Sequence, residues 1–116
     1  MRRNVSVAWV VGDAGDPPVE GSFDAVLTRH LVWTLPDPSS AFARWMHLLR
    51  PGGSLVLIEG MWTTGVGVSG QDLLTLVHPH APDATLRPLD DPAPWGRHVT
   101  DERYLLLARR GGVVSP

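Results

Sequence analysis

The sequence predicts an α/β fold on three observations. Short β-rich apolar runs recur along the chain, two stretches between them repeat apolar residues at helical spacing, and clusters of Gly, Pro and Asp punctuate the joins. The expected order is β, β, α, β, α, β, β.

The first strand is expected at residues 5–11, "VSVAWVV", ended by Gly12 and an Asp/Gly/Pro cluster. The second covers residues 23–28, "FDAVLT". The polar loop between them is too short for a crossover helix, so the two cannot be neighbouring parallel strands in the usual way. Asp37 and Pro38 then open a helix through "SSAFARWMHLL", with Phe42, Trp45, Met46 and Leu49 at i, i+3, i+4, i+7. Pro51 disfavours helical geometry at Arg50, and Gly52 and Gly53 let the chain reverse. Residues 55–58, "LVLI", are apolar on both faces, as expected of a central parallel strand covered by helices.

A glycine-rich loop leads to a second helix near residues 71–78, where Ser69 and Asp72 fit a capping box. Residues 84–89 form a weaker strand whose Pro88 belongs on a sheet edge, because proline cannot donate to the ladder. Residues 104–108, "YLLLA", form a stronger, more buried one.

Composition narrows the function classes. The chain has 116 residues, 43% hydrophobic and 19% charged, which suggests one globular domain or part of one, with a modest core. A formal charge of -2 with dispersed basic residues leaves no footprint for nucleic acid or an anionic membrane, and favours a small-molecule role. Cysteine is absent, so disulfides and thiolate metal sites are excluded. The apolar runs are too short to span a bilayer, and Met1 leads into a polar segment rather than a signal peptide, so a cytoplasmic protein is expected.

The segment "VVGDAGDPPVEGSFDAVLTRHLVWTLPDP" followed by "LLRPGGSLVLIEGMW" resembles class I S-adenosylmethionine-dependent methyltransferases of the small-molecule type. The resemblance continues through "DDPAPWG" and "TDERYLLLARR", so it covers nearly the whole chain but only the later part of that family's domain. It implies an incomplete Rossmann-like methyltransferase sheet. In the family's strand order 3-2-1-4-5-7-6, the five runs would be strands 3, 4, 5, 6 and 7, with strand 7 antiparallel. Strands 1 and 2 have no counterpart here, nor has the acidic-x-Gly-x-Gly loop that cradles the cofactor's methionine carboxylate. An upstream start of the reading frame is therefore expected, with a noncatalytic remnant or partner-dependent module as the alternative. The exposed sheet edge that results could pair with a second copy or another polypeptide.

The resemblance also implies site residues. Gly12, Asp13 and Ala14 would face the adenine of S-adenosylmethionine, the Asp13 carboxylate accepting from the exocyclic amine and the Ala14 amide addressing a ring nitrogen. Read without the family, Asp13 is better explained by an Asx turn before Gly15 and the two prolines. Arg29 and His30 would lie beside the methionine portion. His30 is also a weak candidate for orienting or deprotonating a substrate, the alternative being an imidazole satisfied by a carbonyl. Trp33, Trp62 and Trp95 are the candidate substrate contacts, whereas Trp45, on the helix face, reads as core. Glu59 ends a strand at the functional rim or is a solvated turn residue. His78 and His80 lack a convincing third ligand, and no metal site is expected.

A rival pattern is Gly65, Gly67 and Gly70, a GxGxxG before a helix with Asp90 about twenty residues on, as in NAD-binding fingerprints. Gly65 stands several residues past the strand, and the bulky Trp62 lies between, so a solvated glycine-rich loop is the better reading.

Overall fold

The computed structural model describes residues 6–62, 65–89 and 102–111. Asp37 and Pro38 start α1 (Pro38–Leu48) as their residue types dictate: the Asp37 carboxylate accepts from the Ser40 amide at 3.2 Å, and proline takes the first helical position. Hydrogen bonds to the Ser40 hydroxyl and amide hold the Asp37 carboxyl below its ordinary range. Ser69 caps α2 (Gly70–Val77) likewise, its hydroxyl accepting from the Asp72 amide at 3.1 Å. Ser69→Ala is expected to lower the unfolding free energy by about 1 kcal/mol, read as a shift of the urea midpoint at unchanged slope.

Four strands form one sheet in the order β1-β2-β4-β3. β1 (Phe23–Arg29) runs parallel to β2 (Leu49–Met61), β4 (Glu102–Arg109) is antiparallel to β2, and β3 (Thr85–Pro88) is antiparallel to β4. Pro88 thus sits on an edge strand, as its missing N–H requires.

β2 is much longer than residues 55–58, beginning as soon as α1 ends. Gly52 turns there with φ 81°, and its amide donates to the Arg110 carbonyl at 2.9 Å. At Gly53 a Cβ would lie 2.9 Å from the Arg50 carbonyl oxygen and 3.0 Å from that of Phe23, so only glycine lets β1 and β2 approach.

Both helices pack on one face of the sheet. Phe42 and Trp45 of α1 and Leu73 and Val77 of α2 share a core with Leu55, Leu57 and Leu106. On the opposite face Val56, Ile58, Leu105 and Leu107 are half-buried and Leu27 is 66% exposed. The expectation of a strand covered by helices on both faces therefore holds for one face among the described residues.

The expected first strand is corrected. Residues 6–11 form no strand, and Trp9 and Val11 are 91% and 98% exposed. A strand needs a partner as well as a β-rich sequence, and none of the four described strands pairs with this run. It does not take the outer edge of β1 instead.

Candidate functional site

The C-terminal ends of parallel β1 and β2 form a rim, the place where open α/β sheets bind ligands. The His30 amide extends the ladder by donating to the Ile58 carbonyl at 2.9 Å. His30 then adopts φ 51°, a left-handed conformation that histidine tolerates better than most residues. Leu31 returns to right-handed geometry, and this alternation turns successive amides inward as an anion-binding nest.

The nest is filled by Glu59 from the end of β2. Its Oε1 accepts from the Leu31 and Val32 amides at 2.9 and 2.5 Å, and the residue is 1% exposed. Oε2 is also buried and has no hydrogen-bond partner among the described residues. Burial pushes the Glu59 carboxyl above its ordinary range, against the lowering effect of the two amides and of His30. Tyr104, in register with Glu59, donates to the Val68 carbonyl at 2.7 Å, and burial with nearby carboxylates raises its phenol strongly.

Two clefts flank this rim. One, of about 390 Å³, lies between β1, α1 and the turn before β1, with Ala14, Thr28, Arg29 and Trp45 in its wall. Thr28 Oγ1 is buried there without a partner among the described residues. The other, of about 450 Å³, is lined by Arg29, His30, Ile58, Glu59, Trp62, Leu89 and Arg103. In it the His30 and Trp62 rings lie 5.4 Å apart, and the Arg103 guanidinium sits 5.4 Å from the Trp62 ring centre.

The residues singled out in the sequence divide between these places. Ala14 and Arg29 share the first cleft, while Arg29, His30 and Trp62 share the second. Gly12 and Asp13 line neither. Asp13 forms the Asx turn, its Oδ1 accepting from the Gly15 amide at 2.9 Å. The turn is held to α1: Trp45 Nε1 donates to the Ala14 carbonyl at 2.8 Å, Arg44 donates to the Val19 carbonyl at 3.1 Å, and Arg44 pairs with Asp16 at 3.2 Å. Trp33 sits on the short 3₁₀ turn Val32–Thr34, 47% exposed and away from both clefts. Trp95 and Asp90 lie outside the described residues. Trp45 is buried as expected.

Glu59 is the residue whose part the sequence left open, and Arg103 was missed. The available signal for Glu59 was one carboxylate closing an otherwise apolar strand, since such a group must find donors if the strand is buried.

The three loop glycines are explained locally. Gly65 and Gly67 take φ 86° and 113° as the chain folds back on β2, with the Trp62 amide donating to Val66 and that of Val68 to Gly60. A Cβ at Gly67 would collide with the Gly60 carbonyl. At the start of α2 the Gly70 amide donates to Glu102 and the Asp72 amide to Ser69, so these donors are already engaged. The turn is not the strand-to-helix turn of a dinucleotide fingerprint.

Residues 1–57 match the profile of the methyltransferase domain family. With a parallel pair followed by an antiparallel β4 and an edge β3, the sheet reproduces the 4-5-7-6 portion of the order that the resemblance implied. The chain matches part of a methyltransferase domain.

Its fold is similar to that of the N-methyltransferase NodS from Bradyrhizobium japonicum in complex with S-adenosyl-L-homocysteine, with a TM-score of 0.66 and 18% identity over 89% of this chain and 54% of that one. It is also similar to the [4+2]-cyclase SpnF, with a TM-score of 0.64 and 16% identity over 89% of this chain and 55% of that one. An uncharacterized 37.1 kDa protein in transposon TN4556 of Streptomyces fradiae is 33% identical over 98% of this chain and 28% of its own length. The chain thus spans about half of these solved structures and less of the curated relative. Among the described residues no helix is long and apolar enough to cross a membrane, and no three His, Asp or Glu side chains form a metal-holding group.

Proposed function

We propose that this chain forms one side of an S-adenosylmethionine cleft, for methyl transfer to a small molecule in the cytoplasm. The observation that carries the reading is the rim at the ends of β1 and β2, where the His30 turn is locked by Glu59 beside a cleft walled by Ala14, Thr28 and Arg29.

Bound S-adenosylmethionine would supply a methyl group made electrophilic by its sulfonium. Asp13 would accept from the adenine amine through Oδ2, since Oδ1 holds the Gly15 amide. Gly12 and Ala14 would bring backbone close to the ring, and Arg29 and His30 would border the methionine portion. The acceptor would lie toward Trp62, with Trp33 and Trp95 as further candidate contacts. Transfer by in-line displacement needs alignment above all, so a rigid rim is the main contribution of this chain.

A second reading, a module that acts only with a partner or a second copy, is favoured by the outer edge of β1. No strand pairs with that edge among the described residues, and the apolar residues Val7, Trp9, Val10 and Val11 are exposed before it.

Calorimetry with S-adenosylhomocysteine separates the readings. Saturable heat that Asp13→Ala weakens about tenfold is expected, the loss of one hydrogen bond to a charged acceptor. No saturable heat at millimolar ligand would overturn cofactor binding by this chain alone and leave the partner-dependent module.

A further inference from the structure

β2 and β4 carry apolar side chains on both faces, the pattern of strands covered from both sides, yet among the described residues α1 and α2 cover one face only. On the other face Leu27, Val56 and Leu107 line up across β1, β2 and β4, with Ile58 and Leu105 on the next rung. Leu27 is exposed and the other four are half-buried. Cations frame this apolar floor. The same register places Arg29 beside Ile58, Arg87 beside Leu105, Arg103 beside Gly60 and Arg109 beside Ser54, all four exposed. None of them pairs with a carboxylate among the described residues. The strand carboxylates are engaged elsewhere: Glu59 with the Leu31 and Val32 amides, Glu102 with the Gly70 amide and Asp24 with Arg50.

A cover for this face must therefore be apolar along one stripe and anionic beside it. An added strand would pair with a backbone edge rather than lie on a face. A flat bilayer would meet the exposed guanidiniums without reaching the half-buried floor. A second copy is disfavoured by charge, since face to face the arginines would oppose one another, and α1 and α2 offer a single carboxylate between them, Asp72. A helix from another polypeptide fits, because its apolar stripe reaches the floor while acidic residues beside the stripe reach the arginines. Four strands about 4.8 Å apart make a floor about 14 Å wide, which about three helical turns cross. The cleft of about 450 Å³ at one end, with Ile58, Trp62 and Leu89 in its wall, receives one large apolar anchor.

We propose that the helix-free face of the sheet docks an amphipathic helix of a different polypeptide, its apolar stripe on Leu27, Val56 and Leu107 and its acidic flanks on Arg87, Arg103 and Arg109. This surface is separate from the outer edge of β1, and it stands whether or not the chain binds a cofactor.

The test titrates the whole chain, without cofactor, into three fluorescein-labelled peptides of about 20 residues, long enough to be partly helical alone. One carries leucines at i, i+3, i+4, i+7 spacing flanked by glutamates. The second replaces the glutamates by lysines, and the third replaces the leucines by serines. By anisotropy the first is expected to bind saturably and at least about tenfold more tightly than either control, and to lose its advantage over the lysine peptide in molar salt. Arg87→Gln with Arg109→Gln, positions that line neither cleft, is expected to weaken the glutamate peptide about tenfold. Gln71→Glu with Thr75→Glu makes the same change of net charge on the exposed side of α2 and is expected to weaken it less than about twofold.

Equal binding of the glutamate and lysine peptides, no saturable binding, or equal weakening by the two double variants would overturn the proposal. So would tighter binding to phosphatidylserine vesicles than to the glutamate peptide, which assigns the face to a membrane, or a dimer that Leu107→Asp dissociates, which assigns it to a second copy. The native protein with the peptides and vesicles decides the matter should a variant unfold. Because no cofactor is present, a failure here is distinct from a failure of the S-adenosylhomocysteine titration.

Discussion

Glu59→Ala is expected to lower the unfolding free energy by about 2 to 4 kcal/mol, because two buried amides, those of Leu31 and Val32, lose their acceptor together. Glu59→Gln keeps an oxygen in the nest and is expected to stay within about 1 kcal/mol of the native protein at neutral pH. The gap between the variants isolates the nest from the bulk of the side chain. Urea midpoints at equal slope measure it, and similar losses in both would show that the charge, rather than the acceptor, holds the turn.

The same residue gives stability a pH dependence with a definite sign. Folding raises the Glu59 carboxyl above its ordinary value of 4.5, so the folded state binds the proton more tightly than the unfolded chain. The resulting stabilisation is fully present below 4.5 and is lost as pH rises through the raised folded value. Asp37 works the other way: its lowered carboxyl contributes stability above its ordinary value of 3.8, lost as pH falls through the folded value. Subtracting the Glu59→Gln profile from the native one cancels Asp37 and leaves the Glu59 window. A difference that grows in favour of the native protein with rising pH would contradict the direction of the shift.

Local rules made much of the fold legible. Asp37 and Ser69 cap helices because their side chains reach an amide three residues on, and Pro88 is confined to an edge by its own missing donor. Residues 6–11 failed because their composition describes a strand while pairing depends on elements elsewhere. The Glu59 interaction joins residues 27 and 28 positions apart, and Arg103 reaches Trp62 from another strand, so neither is visible in local spacing. The Asx turn at Asp13 was legible from Gly15 and the prolines. Its attachment to α1 through Trp45 was not, since periodicity marks Trp45 only as core.

That attachment makes Trp45 the second large expectation. The ring is 2% exposed and packs edge-on to Phe42 with centroids 5.7 Å apart, so Trp45→Ala is expected to cost about 3 to 5 kcal/mol by opening a cavity between α1 and the sheet. For a domain of this size, stable by roughly 5 to 15 kcal/mol, that is a large share of the total. Trp45→Phe retains most of the packing and removes the Nε1 donor to Ala14, at an expected cost of about 1 kcal/mol for that hydrogen bond. Amide exchange then reads the local consequence at Asp16, whose amide donates to the Asp13 carbonyl at 3.1 Å. Faster exchange there, with β2 and β4 unchanged, is expected if Trp45 holds the acidic turn in place. Unchanged exchange would assign that task to Arg44, which grips the same turn at Asp16 and Val19. Either result identifies which side chain of α1 fixes Asp13 and Ala14 beside the cleft, and so which one any adenine contact from that turn depends on.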